Sequence, residues 1–314
     1  MRVRRRTNLL WGLALLVVAG VWILNAVHVL PEPIFDLLVR AWPVLLVLVG
    51  LSILLRPRVP LGSALALIVS LALVGGVAAF AFSTRATQQR EDYRAPVFQT
   101  VDAEVTLLRL QIRTLATDVE LLRRVGTDRV ITGQFVGSNE SQVEITYTLD
   151  NRAADLAVIE HQVNQFPMLE DMGRGTLRLE LPADLALDID LQGADGGVTL
   201  NMSGLAVERT NLDLRHGNAL VSFPLYDPLS SGPDDLLGTL AVRDGDITVF
   251  IDPQMAARLE LNRSGSGIDP VYDPTIYNYL VGDVLEARNI ETAAIVVRYN
   301  ITAPRGRITI REPL

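Results

Sequence analysis

Residues 177–205 read LRLELPADLALDIDLQGADGGVTLNMSGL. Leu177, Leu179 and Leu181 alternate with Arg178 and Glu180. Leu185, Leu187, Ile189 and Leu191 then alternate with Ala186, Asp188, Asp190 and Gln192. After Gly196-Gly197 the pattern resumes at Val198, Leu200 and Met202. A period of two puts successive side chains on opposite faces, so each run is a strand with one buried and one solvated face. Pro182, Gly193 and Gly196-Gly197 punctuate the runs as turns.

The same pattern extends in both directions. Upstream lie Leu108, Leu110 and Ile112, then Val143, Ile145, Tyr147 and Leu149. Downstream come Leu212 and Leu214, Val221 and Phe223, Leu240 and Val242, then Ile247, Val249 and Ile251. Leu259 and Leu261, the run Val296–Ile301, and Ile308 with Ile310 complete the series. No helical pattern interrupts it, which predicts an all-β domain. The endings LELP (179–182), VSFP (221–224) and VFIDP (249–253) resemble one strand end used repeatedly, preceded by the glycine turns of 193–205 and 242–253. A loose repeat of this kind favours a solenoid-like stack of short strands, with a β-sandwich as the alternative.

The first 84 residues differ in kind. They hold seven arginines against two acids, a net +5, whereas the remainder is net −13. Residues 7–31 and 59–84 carry no charge. Each is long enough to cross a hydrocarbon core of roughly 30 Å, which takes about 20 residues. Ala41–Leu55 offers only about 15 uncharged residues, roughly 22 Å of helix. It spans if residues 34–40 join it and Arg40 snorkels outward; otherwise it is a re-entrant hairpin. The expected layout is a transmembrane region over 1–84 (spans about 8–30, 34–55 and 60–83), a polar linker over 85–100, and a β-rich soluble domain over 101–314.

Four arginines precede the first span, and Arg56 and Arg58 lie between the second and third. The positive-inside rule puts these in the cytoplasm, and three spans put the β domain on the extracytoplasmic side. If the middle segment does not span, the β domain is cytoplasmic. The N-terminal run is too long for a cleaved signal peptide, and no small-residue cleavage site precedes a polar start.

Composition and spacing offer little chemistry. Without cysteine, thiolate zinc sites and cysteine nucleophiles are excluded. The acidic domain argues against nucleic-acid binding, which needs cations to replace phosphate counterions. His28, His161 and His216 are isolated, so no metal site is expected. Asp188 with Asp190, and Asp244-Gly245-Asp246, read as a solvated face and a turn, with calcium as the minor alternative. Ser264-Gly265-Ser266-Gly267 is a loop and not a nucleophile elbow. No pair of acids stands out for glycoside hydrolysis. Residues 269–280, DPVYDPTIYNYL, hold three of the seven tyrosines; packing over the domain edge is the expectation, with exposed recognition as the alternative. No catalytic, cofactor-binding or metal residue is assigned, and no cofactor is expected.

Two stretches carry a family resemblance. LLWGLALLVVAGVWILNAVHVLP (9–31) and LVRAWPVLLVLVGLSILLR (38–56) resemble the N-terminal transmembrane region shared by LiaI and LiaF proteins. The matching positions are Leu24-Asn25, Pro31, Pro33, Trp42-Pro43, Gly50 and Arg56. The region from Val101 to Pro313, with its L-x-L-P elements and final Gly306-Arg307-Ile308-Thr309-Ile310, looks like the β domains that follow: the LiaF C-terminal, toast-rack and adhesin-like domains. The resemblance implies a non-enzymatic envelope protein in the lipid bilayer, and a role in restraining a membrane histidine kinase that senses envelope stress. LiaF-like proteins have four spans and a cytoplasmic β domain, whereas three spans are counted here. A structural or adhesion module binding an envelope polymer is the alternative function, followed by a carbohydrate-active enzyme.

Overall fold

A computed structural model of the chain describes residues 88–164, 173–229, 232, 235–262 and 268–313. The three predicted spans, His28 and Ser264–Gly267 lie outside the described residues. Among the described residues no helix is long and apolar enough to cross a membrane.

The described residues form seventeen strands and no helix. In chain order they are β1 (Tyr93–Thr100), β2 (Leu107–Arg123), β3 (Val130–Gly137), β4 (Ser141–Asp150), β5 (Ala153–Gln162) and β6 (Gly175–Leu181). Next come β7 (Ala186–Asp195), β8 (Val198–Asn201), β9 (Ala206–His216), β10 (Ala219–Ser222), β11 (Gly238–Asp244) and β12 (Ile247–Phe250). The last are β13 (Met255–Asn262), β14 (Tyr277–Leu280), β15 (Val284–Ala287), β16 (Ile295–Thr302) and β17 (Ile308–Arg311).

These strands make two sheets. Sheet I runs β4-β5-β2-β7-β9-β11-β16-β13-β15-β14. Sheet II runs β1-β3-β6-β2-β8-β10-β12-β17. The long strand β2 belongs to both, its first half in sheet I and its second in sheet II. Most neighbouring strands are parallel and in register, so β7-β8, β9-β10, β11-β12 and β16-β17 are successive coils of one stack. Antiparallel strands finish the ends, β1, β3 and β4 at one and β14 and β15 at the other. The stacked-strand reading therefore holds for the described β region. Parallel coils, which need a return segment each, distinguish it from an antiparallel sandwich.

Register turns the alternation into ladders. Val158, Ile112, Leu191, Leu212, Leu240, Ile301 and Leu261 are partners in successive strands of sheet I, and all are buried. Leu179, Leu121, Leu200, Val221, Val249 and Ile310 do the same in sheet II. Burying one such side chain contributes about 1.5–3 kcal/mol, so the ladders dominate the stability of the stack. One rung departs: Thr210 is opposite Gly238, and Gly238 opposite Tyr299. The buried Tyr299 ring stacks on Phe223, with centroids 4.3 Å apart.

Each coil turns from sheet I to sheet II at a glycine. Gly196 and Gly217 have φ of 145° and 133°, a region that favours a residue without Cβ. Space is equally restrictive, since a Cβ on Gly217 would sit 1.8 Å from the Gly196 carbonyl oxygen. Gly245 and Gly306 continue the column. At the β2 corner no glycine is present. There the Glu160 carboxylate accepts the N–H groups of Leu115 (2.6 Å) and Ala116 (3.3 Å) and the Ser141 hydroxyl.

Strand β1 falls within the stretch expected to be linker. Only Val97 of its eight residues is fully buried, and Pro96 argues against a strand. Pro96 is tolerated because β1 is an edge strand, where one N–H of each pair has no ladder partner.

Candidate functional site

The corner of the stack brings His216 and the Asp244-Gly245-Asp246 turn together with other charged residues. The Asp118 carboxylate accepts the Gly197 N–H (2.7 Å), the Asn218 amide oxygen accepts the Asp246 N–H (2.9 Å), and Asp246 accepts the Arg307 N–H (2.8 Å). Asp244 lies 3.3 Å from Nε2 of His216 and 3.0 Å from the Arg305 guanidinium. At the other end of this ridge Arg174 pairs with Asp195 at 2.7 Å. The acids of the Asp244-Gly245-Asp246 turn thus hold one coil to the next. Among the described residues no group of three or more His, Asp or Glu is arranged to hold a metal ion.

Asp188 and Asp190 both lie on the outer face of sheet I, as alternation requires. Register places Asp188 between Arg109 and Arg209, while Asp190 accepts a hydrogen bond from Gln192 (3.3 Å). Burial raises the Asp188 carboxyl above its ordinary value, against the lowering pull of Arg209 and Arg109. A raised folded pKa favours the fold below the ordinary Asp range, and that contribution is lost as pH rises through the raised value. His161 stands exposed at the end of β5, opposite Gln142.

Residues 269–280 fold over the far end of the stack. Tyr277 is buried, and burial pushes its hydroxyl up to about 12. Val271 bridges to Thr309 and exchanges backbone hydrogen bonds with β17 (2.9 and 2.8 Å). Tyr272 and Tyr279 stack at 6.1 Å beside a hairpin tip where Leu280 and Val281 are exposed. Tyr277 is therefore buried, Tyr272 packs in part against the core, and Tyr279 is exposed.

Two buried carboxylates escaped sequence reading. Glu160 closes the β2 corner described above. Glu208 occupies a bulge where the β7–β9 register slips, and accepts the Tyr226 hydroxyl (2.6 Å) and the Leu229 N–H (3.3 Å). Burial, then the Glu208 bond, pushes the Tyr226 hydroxyl up to about 12. Each acid serves its own loop. Glu160 was detectable in principle, because it follows Ala154, Leu156 and Val158 on the inward parity of β5.

The near end of the stack carries an open cleft of about 400 Å³ lined by Asp102, Ala103, Glu104, Val105, Leu149 and Asn151. The Tyr147 hydroxyl is buried nearby without a hydrogen-bond partner, and burial followed by the charge of Asp102 raises its pKa. A second cleft of about 290 Å³ is lined by Leu236, Arg258, Glu260 and Arg298. In neither cleft do the lining residues pair a nucleophile with a base.

Residues 10–87 match the family model of the LiaF transmembrane domain. The resemblance carried by Leu24-Asn25, Trp42-Pro43 and Arg56 therefore holds, and the chain contains a membrane region. No curated protein matches the chain. A crystal structure from Clostridium sporogenes, described as a "putative cell adhesion protein", covers 70% of this chain and 100% of its own at 13% identity, with a TM-score of 0.57. That likeness shows the fold alone. A "putative adhesin" from Bacteroides fragilis covers 71% of this chain and 99% of its own at 8% identity; its TM-score of 0.20 carries no argument.

Proposed function

We propose that this chain is a non-enzymatic, membrane-anchored envelope protein that binds another protein through its β stack, as a LiaF-like regulator or sensor of envelope stress. The observation that carries the reading is the combination in one chain of a LiaF transmembrane domain match and a β stack whose described charges largely brace adjacent coils. Catalysis needs titratable groups converging on one open site. The buried acids are instead spent on turns: Glu160 on the β2 corner and Glu208 on the Tyr226 loop. The proposed layout is a membrane region over 1–84, with three spans and a cytoplasmic N-terminus, a short linker, and an extracytoplasmic β domain.

A structural or adhesion module is the second reading. A column of polar partners favours it: Gln111, Asp190, Asn211, Thr239, Asn300 and Glu260 follow one another across sheet I. Such a row could bind a hydroxyl-rich envelope polymer. The two readings differ at the membrane helices. Small residues at Gly75 and Gly76 allow close helix packing in lipid. Photocrosslinkers placed there in the full-length chain, in its native membrane, are expected to capture a second helical membrane protein. Lipid adducts alone would reject regulation through the helices and leave the adhesion reading.

A further inference from the structure

The near end of the stack is uneven. Counting outward from β2, sheet II continues through β6, β3 and β1, whereas sheet I continues only through β5 and β4. Sheet I is one strand shorter, and β4, against which β1 packs from the other sheet, is its outer edge.

The open edge of β4 is ready for pairing. Val163 N–H donates to the Glu140 carbonyl (2.9 Å), which sets the phase of the antiparallel β4–β5 ladder. Even-numbered residues of β4 then point their backbone groups at β5. Val143, Ile145, Tyr147 and Leu149 point theirs at the open edge. The same four side chains form the inward face of β4, where Ile145 and Leu149 remain 36% and 53% exposed. Other outer edges are blunted: β1 contains Pro96, β17 is covered by Val271, and β14 has four residues. The ten-residue β4 has no proline, and among the described residues no strand pairs with its outer edge.

We infer that the β4 edge is a docking site for one extended segment of a partner protein, which adds to sheet I as an antiparallel or parallel strand. Its apolar residues fall at every second position, over Ile145 and Leu149, and its intervening residues are basic. Charge complementarity fixes the latter: Glu144 and Asp150 lie on the outer face of β4, and the cleft at its end is lined by Asp102 and Glu104. Main-chain bonding supplies affinity in such strand addition, and alternate side chains supply specificity. A second copy of this chain fits worse. Its β4 comes with β1 packed against it, so two copies edge to edge would bring their β1 strands together, whereas a lone strand brings no second sheet. The inference rests on the protein-binding reading proposed above and names its site.

The test uses the full-length chain in detergent micelles and a synthetic fluorescent peptide alternating valine with arginine and threonine. Binding is expected, weakening with salt as a charge-steered contact should. A peptide of the same sequence, N-methylated at alternate backbone amides, is expected to bind at least about tenfold more weakly. Ile145→Pro removes an N–H that faces the open edge and not β5, so it should abolish binding with the thermal midpoint nearly unchanged. Hydrogen exchange at Ile145 and Tyr147 should slow only when peptide is added. Equal binding of the methylated peptide, or binding indifferent to Ile145→Pro in a folded variant, overturns the inference. Slow exchange without peptide would mean that the chain covers its own edge. Self-association lost in Ile145→Pro would assign the edge to a second copy. Each of these leaves the helix crosslinking result independent, so failure here is distinguishable from failure of the regulatory reading.

Discussion

Gly217→Ala is expected to abolish cooperative folding of the β stack, or to lower its thermal midpoint more than any other single substitution considered. The added methyl would stand 1.8 Å from the Gly196 carbonyl oxygen, and the Gly217 carbonyl oxygen in turn lies 1.8 Å from where a Cβ on Gly245 would be. Relief requires moving the backbone of adjacent coils, which breaks the bond from Gly217 N–H to the Asp244 carbonyl (3.0 Å). Losses above about 4 kcal/mol arise from mechanisms of this kind. Gly126→Ala separates conformation from space. Gly126 also has a positive φ, of 139°, but nothing lies within 4 Å of its Cβ position. It should cost only about 1 kcal/mol. Thermal melts of the full chain followed by circular dichroism compare the two. Equal losses would mean that dihedral preference, and not coil-to-coil contact, demands glycine at the corner.

Leu121→Ala should destabilise the stack by about 2–5 kcal/mol, from lost transfer energy and the cavity left behind. Leu121 is fully buried in sheet II, with Leu179 on one side and Leu200 on the other. Its strand belongs to both sheets, so the cavity opens where they are joined. Leu220→Ala is the control. Leu220 lies in the same sheet on β10, but its side chain is on the outer face and 43% exposed. That change should stay within about 0.5 kcal/mol. Denaturant midpoints at unchanged slope measure both. Stacked repeats couple mainly to their nearest neighbours. A loss confined to one part of the stack would therefore show as a second transition.

Much of this architecture was written in local pattern. The run from Leu177 to Leu205 contains β7, a glycine corner and β8, and Leu177, Leu179, Leu187, Leu191 and Leu200 are buried in the strands that alternation assigned them. What escaped had non-local causes. β1 looked like linker because an edge strand with Pro96 buries little and alternates weakly. β2 was legible at Leu108–Ile112, but nothing in the sequence marks that it continues through Thr117–Arg123 into the other sheet. Its corner has no glycine, because Glu160, forty-odd residues away in the chain, supplies the acceptor. The position of β2 between β5 and β7 is a long-range pairing that no local period encodes. The candidate site was hidden for the same reason. Val143, Ile145, Tyr147 and Leu149 were read as an ordinary strand with a buried face, and only the strand count of the two sheets leaves their edge open.

The β domain is proposed to meet its partner outside the cytoplasm. Its side of the membrane depends on Ala41–Leu55, the short middle segment of the region that matches the LiaF transmembrane domain. The most direct measurement is a pair of topology reporters fused in turn after Leu314 of the full-length chain, one active only outside the cytoplasm and one only inside. Three spans predict activity of the first and silence of the second. Activity of the cytoplasmic reporter alone would contradict the account, reduce the spans to an even number, and move the β4 edge to the side where LiaF-like proteins hold their β domain.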